Sequence, residues 1–412
     1  MVLMQGQKSS CLHALATAVT TTLAEHGDGR MHNVKTLNSM TIILHTRAEG
    51  LGTGNKELLD AILDPLAPHL PTLASVARTC AAINPSATRL LYRHLSVSAY
   101  ARNLSVVNTL AIRPDLARFV RTFSITLDDT DPVFRAFYVD LQRALASMMH
   151  LTDLTLLIDA SASWVLSNGG QLQGTLYPFL EQFVCAFPLD ASVLGFIART
   201  PGLRSLQLPV LPSIVDSLLP THIPRLVSYT GPASLLPILA SRPLTTLHLL
   251  DDLSLDNIPP PVVSTRTSET ISFSGHTVHP DGEMDTQAHV QVLSAVTSAP
   301  PAQVLEALAL AYPGLVCLRL MTTAAFWEAP DMTFYTRIAS TLSTLPSLAV
   351  FELSGMHWAS RPKSPSSSFS PSVEKEWLSP PITPRAVELA EPDELDGNRD
   401  YDFDGAFLDW SY

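Results

Sequence analysis

The chain has almost no lysine. Five lysines stand against 21 arginines in 412 residues, and none falls between Lys56 and Lys363. Cysteine is as sparse. Cys11, Cys80, Cys185 and Cys317 lie far apart with no CxxC pair, which argues against both a disulfide framework and a zinc site; a reducing compartment, cytoplasmic or nuclear, fits best. No run of 18 apolar residues occurs, so no membrane span is expected. Positive charge is in deficit. A net charge of -12 offers no basic face to a phosphate backbone, and no nucleic-acid partner is expected. The early stretch "CLHALATAVTTTLA" sits where a signal peptide would, but its Thr-rich middle is too weakly apolar for one.

Recognisable catalytic signatures are missing as well. There is no GxSxG and no HExxH. Gly50, Gly52, Gly54 and Lys56 follow the strand-like "MTIILH", yet Asn55 separates Gly54 from Lys56 and Glu57 follows, so the spacing of a phosphate-cradling loop fails. His276, His279 and His289 with Asp281, Glu283 and Asp285 lie in a polar loop that gives metal ligands nothing to orient them. Asp128, Asp129 and Asp131, and again Asp251 and Asp252, follow strand patterns, where carboxylates usually cap turns. The expectation is a chain that is not an enzyme and holds no cofactor and no metal.

What is present is apolar and patterned. Hydrophobic residues make up 46% and charged residues 16% of a 44.7 kDa chain, the balance of a globular protein with two or three units. Residues 1–53 show no sustained period. In 54–96, Leu58, Leu59, Ile62, Leu63 and Leu66 form one helix stripe, with Pro65 set to end or bend it. Pro71 opens a second helix that puts Leu73, Val76, Ala77 and Cys80 on one face, and Asn84-Pro85 reads as an N-cap and first turn of a third.

Behind this unit, over 97–358, a short strand with alternating leucines recurs. Seven copies are "VRTFSITL", "LTDLTLLI", "GLRSLQLPVL", "PRLVSYTG", "LTTLHLLDD", "PGLVCLRLM" and "PSLAVFELSG", most preceded by a helical segment. Helix, turn, LxxLxL strand and loop is the order of a leucine-rich-repeat-like α/β solenoid, here with irregular spacing and no repeated Asn. A doubly wound α/β domain also alternates strand and helix and is the competing reading. The gap from Leu255 to Thr286 reads as an inserted loop with one weak strand, "TISFSG". Residues 359–412 are Ser/Pro-rich, with four Ser/Thr-Pro sites, then acidic with interleaved aromatics, and are expected to be a disordered tail.

The stretch from Glu57 to Leu95 resembles an F-box. Glu57, Leu58, Leu59, Ile62, Leu63 and Leu66 match that motif's first helix; Pro71, Leu73, Val76 and Cys80 match its second; "LYRHL", Leu91 to Leu95, matches its close. The following "SVVNTLAIRPDLARFVRTFSITL" is similar to what comes after the F-box in many fungal F-box proteins. The opening Leu-Pro of the motif is Gly54-Asn55 here, and Pro65 interrupts its first helix. The resemblance implies a substrate receptor of an SCF-type ubiquitin ligase. It would dock on a Skp-type adaptor, and through it on a cullin scaffold, by Leu58, Leu59, Ile62, Leu63, Leu66, Pro71, Leu73, Val76 and Cys80, and bind an unknown protein substrate through the solenoid. The same helices read without the resemblance are a cap on the first repeat. Scarce lysine has two readings as well: a GC-rich genome that favours Arg codons, or avoidance of acceptor amines beside a ubiquitin-transferring enzyme.

Overall fold

The computed structural model describes residues 56–128 except 80 and 82, 134–167, 176–210, 218–260 except 220, 290–323, 332–362 and 375–378. The expectations placed on residues 1–53, on the histidine-rich loop, on "TISFSG" and on the Ser/Thr-Pro sites fall outside them.

The front of the described chain is a three-helix unit. Helix α1 (Lys56–Leu63) gives way to a 3-10 turn, Asp64–Leu66, in which Pro65 occupies the first turn and donates no N–H. Helices α2 (Leu70–Thr79) and α3 (Asn84–Leu91) follow. Asn84 does not cap α3. Its side-chain amide donates to the carbonyl of Ala77 at 2.8 Å instead, tying the start of α3 to α2. Leu63, Leu66, Leu73, Val76, Ile83, Ala87 and Leu90 form a small core of their own, separate from the core of the rest.

The remainder is a mixed α/β layer built on one open twelve-stranded sheet: β1 (His94–Ser98), β2 (Thr122–Thr126), β3 (Asp153–Leu157), β4 (Gln182–Cys185), β5 (Ser205–Gln207), β6 (Ser228–Gly231), β7 (Thr246–Asp252), β8 (Val292–Thr297), β9 (Cys317–Thr322), β10 (Val350–Leu353), β11 (Met356–Pro362) and β12 (Lys375–Leu378). Spatial order follows chain order throughout. Each of β1 to β9 runs parallel to the next, so that β1 to β10 are all parallel. A doubly wound sheet reverses its winding at a switch point; this one never does. "LxRHL" is divided accordingly: Leu91 closes a helix, while His94 and Leu95 already pair with Thr122 and Phe123.

The leucine pattern explains the register. In a strand, alternate side chains share a face. Val120-x-x-Phe123-x-Ile125 buries all three named residues, and so do Leu151-x-x-Leu154-x-Leu156 and Leu315-x-x-Leu318-x-Leu320. Pairing aligns the middle residue of every copy, so that one row runs from half-buried Leu95 through buried Phe123, Phe183 and Tyr229 to Leu318 and Phe351. Backbone bonds repeat too. The carbonyl of Arg93 accepts from the N–H groups of Arg121 and Thr122, that of Arg121 from Thr152 and Asp153, and the same fork recurs up to Val316 with Ala349 and Val350.

Helices α4 (Ser105–Ile112), α5 (Pro114–Ala117), α6 (Arg135–Ser147), α7 (Ala191–Ile197), α8 (Leu236–Leu239), α9 (Pro301–Ala311) and α10 (Met332–Ser343), with 3-10 segments between, bury their apolar sides in the core that the strand rows supply. The opposite face over β2–β7 is mixed: Ser124, Thr155 and Thr230 are half-buried, Thr126 and Gln182 exposed, and Leu157 and Leu250 also stand exposed. Strands β1, β4 and β8 are repeats that the leucine pattern missed. Their row positions hold Leu95 and Val97, Phe183 and Cys185, and Leu293 and Ala295, so counting leucines passes over them although the burial requirement is met.

One repeat compensates for size within itself. Tyr229 is fully buried where most copies have Leu or Phe, and its hydroxyl donates to the Pro232 carbonyl at 3.0 Å. A Cβ on Gly231 would meet that hydroxyl oxygen at 2.6 Å. The tyrosine therefore fills the space of two rows. Gly231→Ala is expected to cost about 1–3 kcal/mol as an overpacked core, and Tyr229→Leu in the same chain should recover part of it. Urea midpoints of the single and double variants check this; an additive double variant would sink it.

The sheet ends beyond the expected boundary. Ser354 and Gly355, at φ 48° and 79°, make a two-residue turn that folds β11 back antiparallel on β10, and β12 pairs β11 in the same sense. Trp358 and Trp377 are buried there, Trp358 beside Tyr335 and Phe351 at ring-centre distances of 5.9 and 6.0 Å. The Lys375 ammonium donates to the carbonyls of Pro346 and Leu348, each at 3.1 Å. Residues 359–362 and 375–378 thus belong to the fold, which corrects the expectation of a disordered tail from 359. Serine and proline dominate that composition, and a four-residue strand is too short to register against them.

Candidate functional site: the helical unit and its junction with the sheet

Three of the nine residues expected to meet an adaptor are accessible. Leu59 and Ile62 are half-buried on the rim of the small core, and Pro71 is exposed. Leu63, Leu66, Leu73 and Val76 are 1%, 7%, 0% and 0% exposed. These four pack into the core of the unit and hold it together, so the accessible part of the expected adaptor surface is Leu59, Ile62 and Pro71. The reason is geometric: an apolar stripe in a three-helix unit first satisfies the other two helices. Leu58 is helical and its side chain lies outside what is described, as does Cys80 altogether. Sequence reading passed over Leu70. It starts α2 next to Pro71 and is 49% exposed, a large apolar side chain left over by the core. The available signal was its place just ahead of the stripe Leu73, Val76, Ala77.

Below this rim, α1, α3 and the turn before β2 enclose a cleft of about 480 Å³. Its walls carry Arg89, Arg93, Arg118 and Arg121 with Asp60 and Asp64, and its apolar surface comes from Leu90 and Phe119 among others. Asp60 accepts from Arg89 at 2.9 Å and Asp64 from Arg93 at 3.4 Å. These exposed pairs clip α1 to α3 and to the start of the sheet but add little stability. His94, at the entry to β1, bonds Thr122 Oγ1 at 2.8 Å, and partial burial holds its pKa below the usual histidine range.

The carboxylates of Asp251, Asp252 and Asp190, at strand and helix ends, are engaged with the backbone. Asp251 accepts from the Ala233 N–H, and Asp252 takes both the N–H and the hydroxyl of Ser298. Asp190 caps α7 through the N–H groups of Ser192 and Val193, each at 2.9 Å. Asp128 is exposed at the end of β2, and Asp129 and Asp131 lie outside the described residues. Cys185 and Cys317 are buried free thiols, pushed up to about 12 and about 11 by burial, so neither is a thiolate at neutral pH. No cluster of three metal-ligating side chains exists among the described residues, and no described helix is long and apolar enough to cross a membrane.

Two other surfaces face outward. On the sheet face opposite the helices, Thr230, His248, Ser294, Arg319 and Glu352 stand in register on successive strands; the row is half-buried at Thr230 and His248 and closes off at Ser294 and Glu352, 4% and 6% exposed, with Arg319 and Glu352 paired at 3.4 Å. At the carboxyl ends of β1 and β2, Tyr100 and Phe134 are 86% and 80% exposed. Aromatic side chains so exposed are the type that anchors protein interfaces. Against protein-family models and curated proteins, the chain matches none.

Proposed function

We propose that the chain is the substrate-recognition subunit of an SCF-type cullin ubiquitin ligase. Helices α1–α3 dock as an F-box on a Skp-type adaptor, and the sheet with its helices is a leucine-rich-repeat-like solenoid that presents a protein substrate. The observation that carries this is the arrangement itself: a three-helix unit with its own core, set ahead of ten parallel strands in chain order. The docking surface is the rim formed by Leu59, Ile62, Leu70 and Pro71 rather than the full apolar stripe. The substrate surface is the sheet face opposite the helices together with the loops bearing Tyr100 and Phe134. No bond is made or broken by this subunit. It raises the effective concentration of a target lysine near a charged ubiquitin carrier.

Burial of Leu63, Leu66, Leu73 and Val76 favours a second reading, in which the unit only caps the repeats and the protein is a binding scaffold with no ligase role. Adaptor pull-down separates the two. The native chain should retain the Skp-type adaptor, and Leu70→Glu, at a site open enough to leave the fold intact, should weaken retention about thirtyfold, the equivalent of roughly 2 kcal/mol for an apolar anchor. Absence of retention by a native chain with an intact circular dichroism spectrum would leave the scaffold.

A further inference from the structure

The junction cleft carries more positive charge than its walls neutralise. Asp60 and Asp64 answer Arg89 and Arg93. Arg121 donates through Nη1 to the His150 carbonyl at 3.1 Å, and the Arg118 side chain makes no hydrogen bond or ion pair among the described residues, its charge reaching Asp115 only at longer range. The carboxylate nearest in sequence to Arg118, Asp115, is already held by Arg113 through two hydrogen bonds of 2.9 and 2.7 Å. Phe119 gives the same cleft an aromatic wall. Asp60 also keeps one buried oxygen without a donor, an acceptor suited to a peptide N–H and not to a free anion. A ligand for such a cleft is an extended peptide with carboxylates and interleaved apolar side chains.

The chain contains that peptide. Residues 388–412 hold nine carboxylates against Arg399, a net of -8 out of -12 for the whole protein, and they interleave Tyr401, Phe403, Phe407 and Trp410. We infer that this C-terminal acidic segment occupies the arginine cleft between α1, α3 and β2. Reach permits it. Eleven strand spacings of ~4.8 Å put the far edge of the sheet about 53 Å from the cleft along the sheet. Asp400 lies 22 residues beyond Leu378, and that length extends to roughly 75 Å. The carboxylates supply counter-charge to Arg118 and Arg121, the aromatic rings lie against Phe119, and a backbone N–H meets Asp60. The inference is independent of the ligase reading, since it concerns only which segment fills the cleft.

Amide hydrogen exchange on the full chain tests it. At an effective concentration of about 1 mM and a Kd of about 0.1 mM, docking slows exchange around 60–66 and 116–121 about tenfold. Replacing Asp400, Asp402, Asp404 and Asp409 by Asn should remove that protection, and Arg118→Glu should remove it equally. Arg118→Glu combined with Arg in place of Asp402 and Asp404 should bring it back. Exchange at the cleft that is the same in the native and the Asn-substituted chains overturns the inference, and so does a charge-swapped chain that regains no protection.

Discussion

Phe183→Ala should cost about 3–5 kcal/mol, among the largest losses any single substitution in this chain will produce. Phe183 is fully buried in the middle of the continuous row, with neighbouring rows on both sides. Its ring meets Phe196 of α7 at 4.9 Å, and Phe196 meets Tyr177 at 5.1 Å. The Arg199 guanidinium covers both of these last rings, at 5.6 and 5.9 Å, and donates to the Leu166 carbonyl at 2.7 Å. Truncation therefore opens a cavity that no single neighbour can close, because each is held by the next. Each strand of the sheet pairs only with the strands before and after it in the chain, so the loss should be local. Exchange should rise across β3–β5 while the three-helix unit, with its separate core, keeps its protection. A urea midpoint shifted by less than 1 kcal/mol of equivalent stability would show that the row does not hold the sheet together.

Two truncations should differ sharply. Ending the chain after Leu378 removes no described element, and stability should fall by no more than about 1.5 kcal/mol, the loss of a segment docked at about ten times its Kd. Ending it after Ser354 removes β11 and β12, and the protein should not fold stably. The reason is the edge. Removal uncovers Phe351 and Leu353 of β10, deletes buried Trp358 and Trp377, and leaves an unpaired parallel strand. Large aromatic side chains bury about 150–250 Å² each, worth several kcal/mol apiece at about 25 cal/mol per Å². An exposed apolar edge strand also pairs with other chains. Thermal unfolding and light scattering of the two truncated chains check this, and a stable monomer ending at Ser354 would refute the closing role of the hairpin.

The helical unit shows how far local pattern reaches. Pro65 and Pro85 act where a fixed φ and a missing N–H require, at the 3-10 turn and in the first turn of α3. The stripe Leu59, Ile62, Leu63, Leu66 was legible as one face. Which part of it faces inward was not, because a 3.6-residue period records that a face is apolar and is silent on what covers it. The same limit applies to the cleft. Arg89, Arg93, Arg118 and Arg121 span 33 positions in sequence, and only the approach of α3 to the turn before β2 brings them to one wall. Asn84 failed as a cap for a related reason: the carbonyl of Ala77 became available across the α2–α3 turn and was the better partner.

Sequence alone determined the alternation of strand and helix, the seven leucine-marked strands, the helical front, the net negative charge and the lack of a long apolar run. Those features arise from periods of two and 3.6 residues and from charge, which are local properties of the chain. Tertiary structure alone decided that every strand lies beside its predecessor, that Phe, Cys and Ala complete the leucine rows at β4 and β8, that Tyr229 takes the space left by Gly231, and that a strand inside a Ser/Pro-rich segment closes the sheet. Each of these depends on what a residue meets across the sheet, and burial accepts any side chain of suitable volume that fills the row.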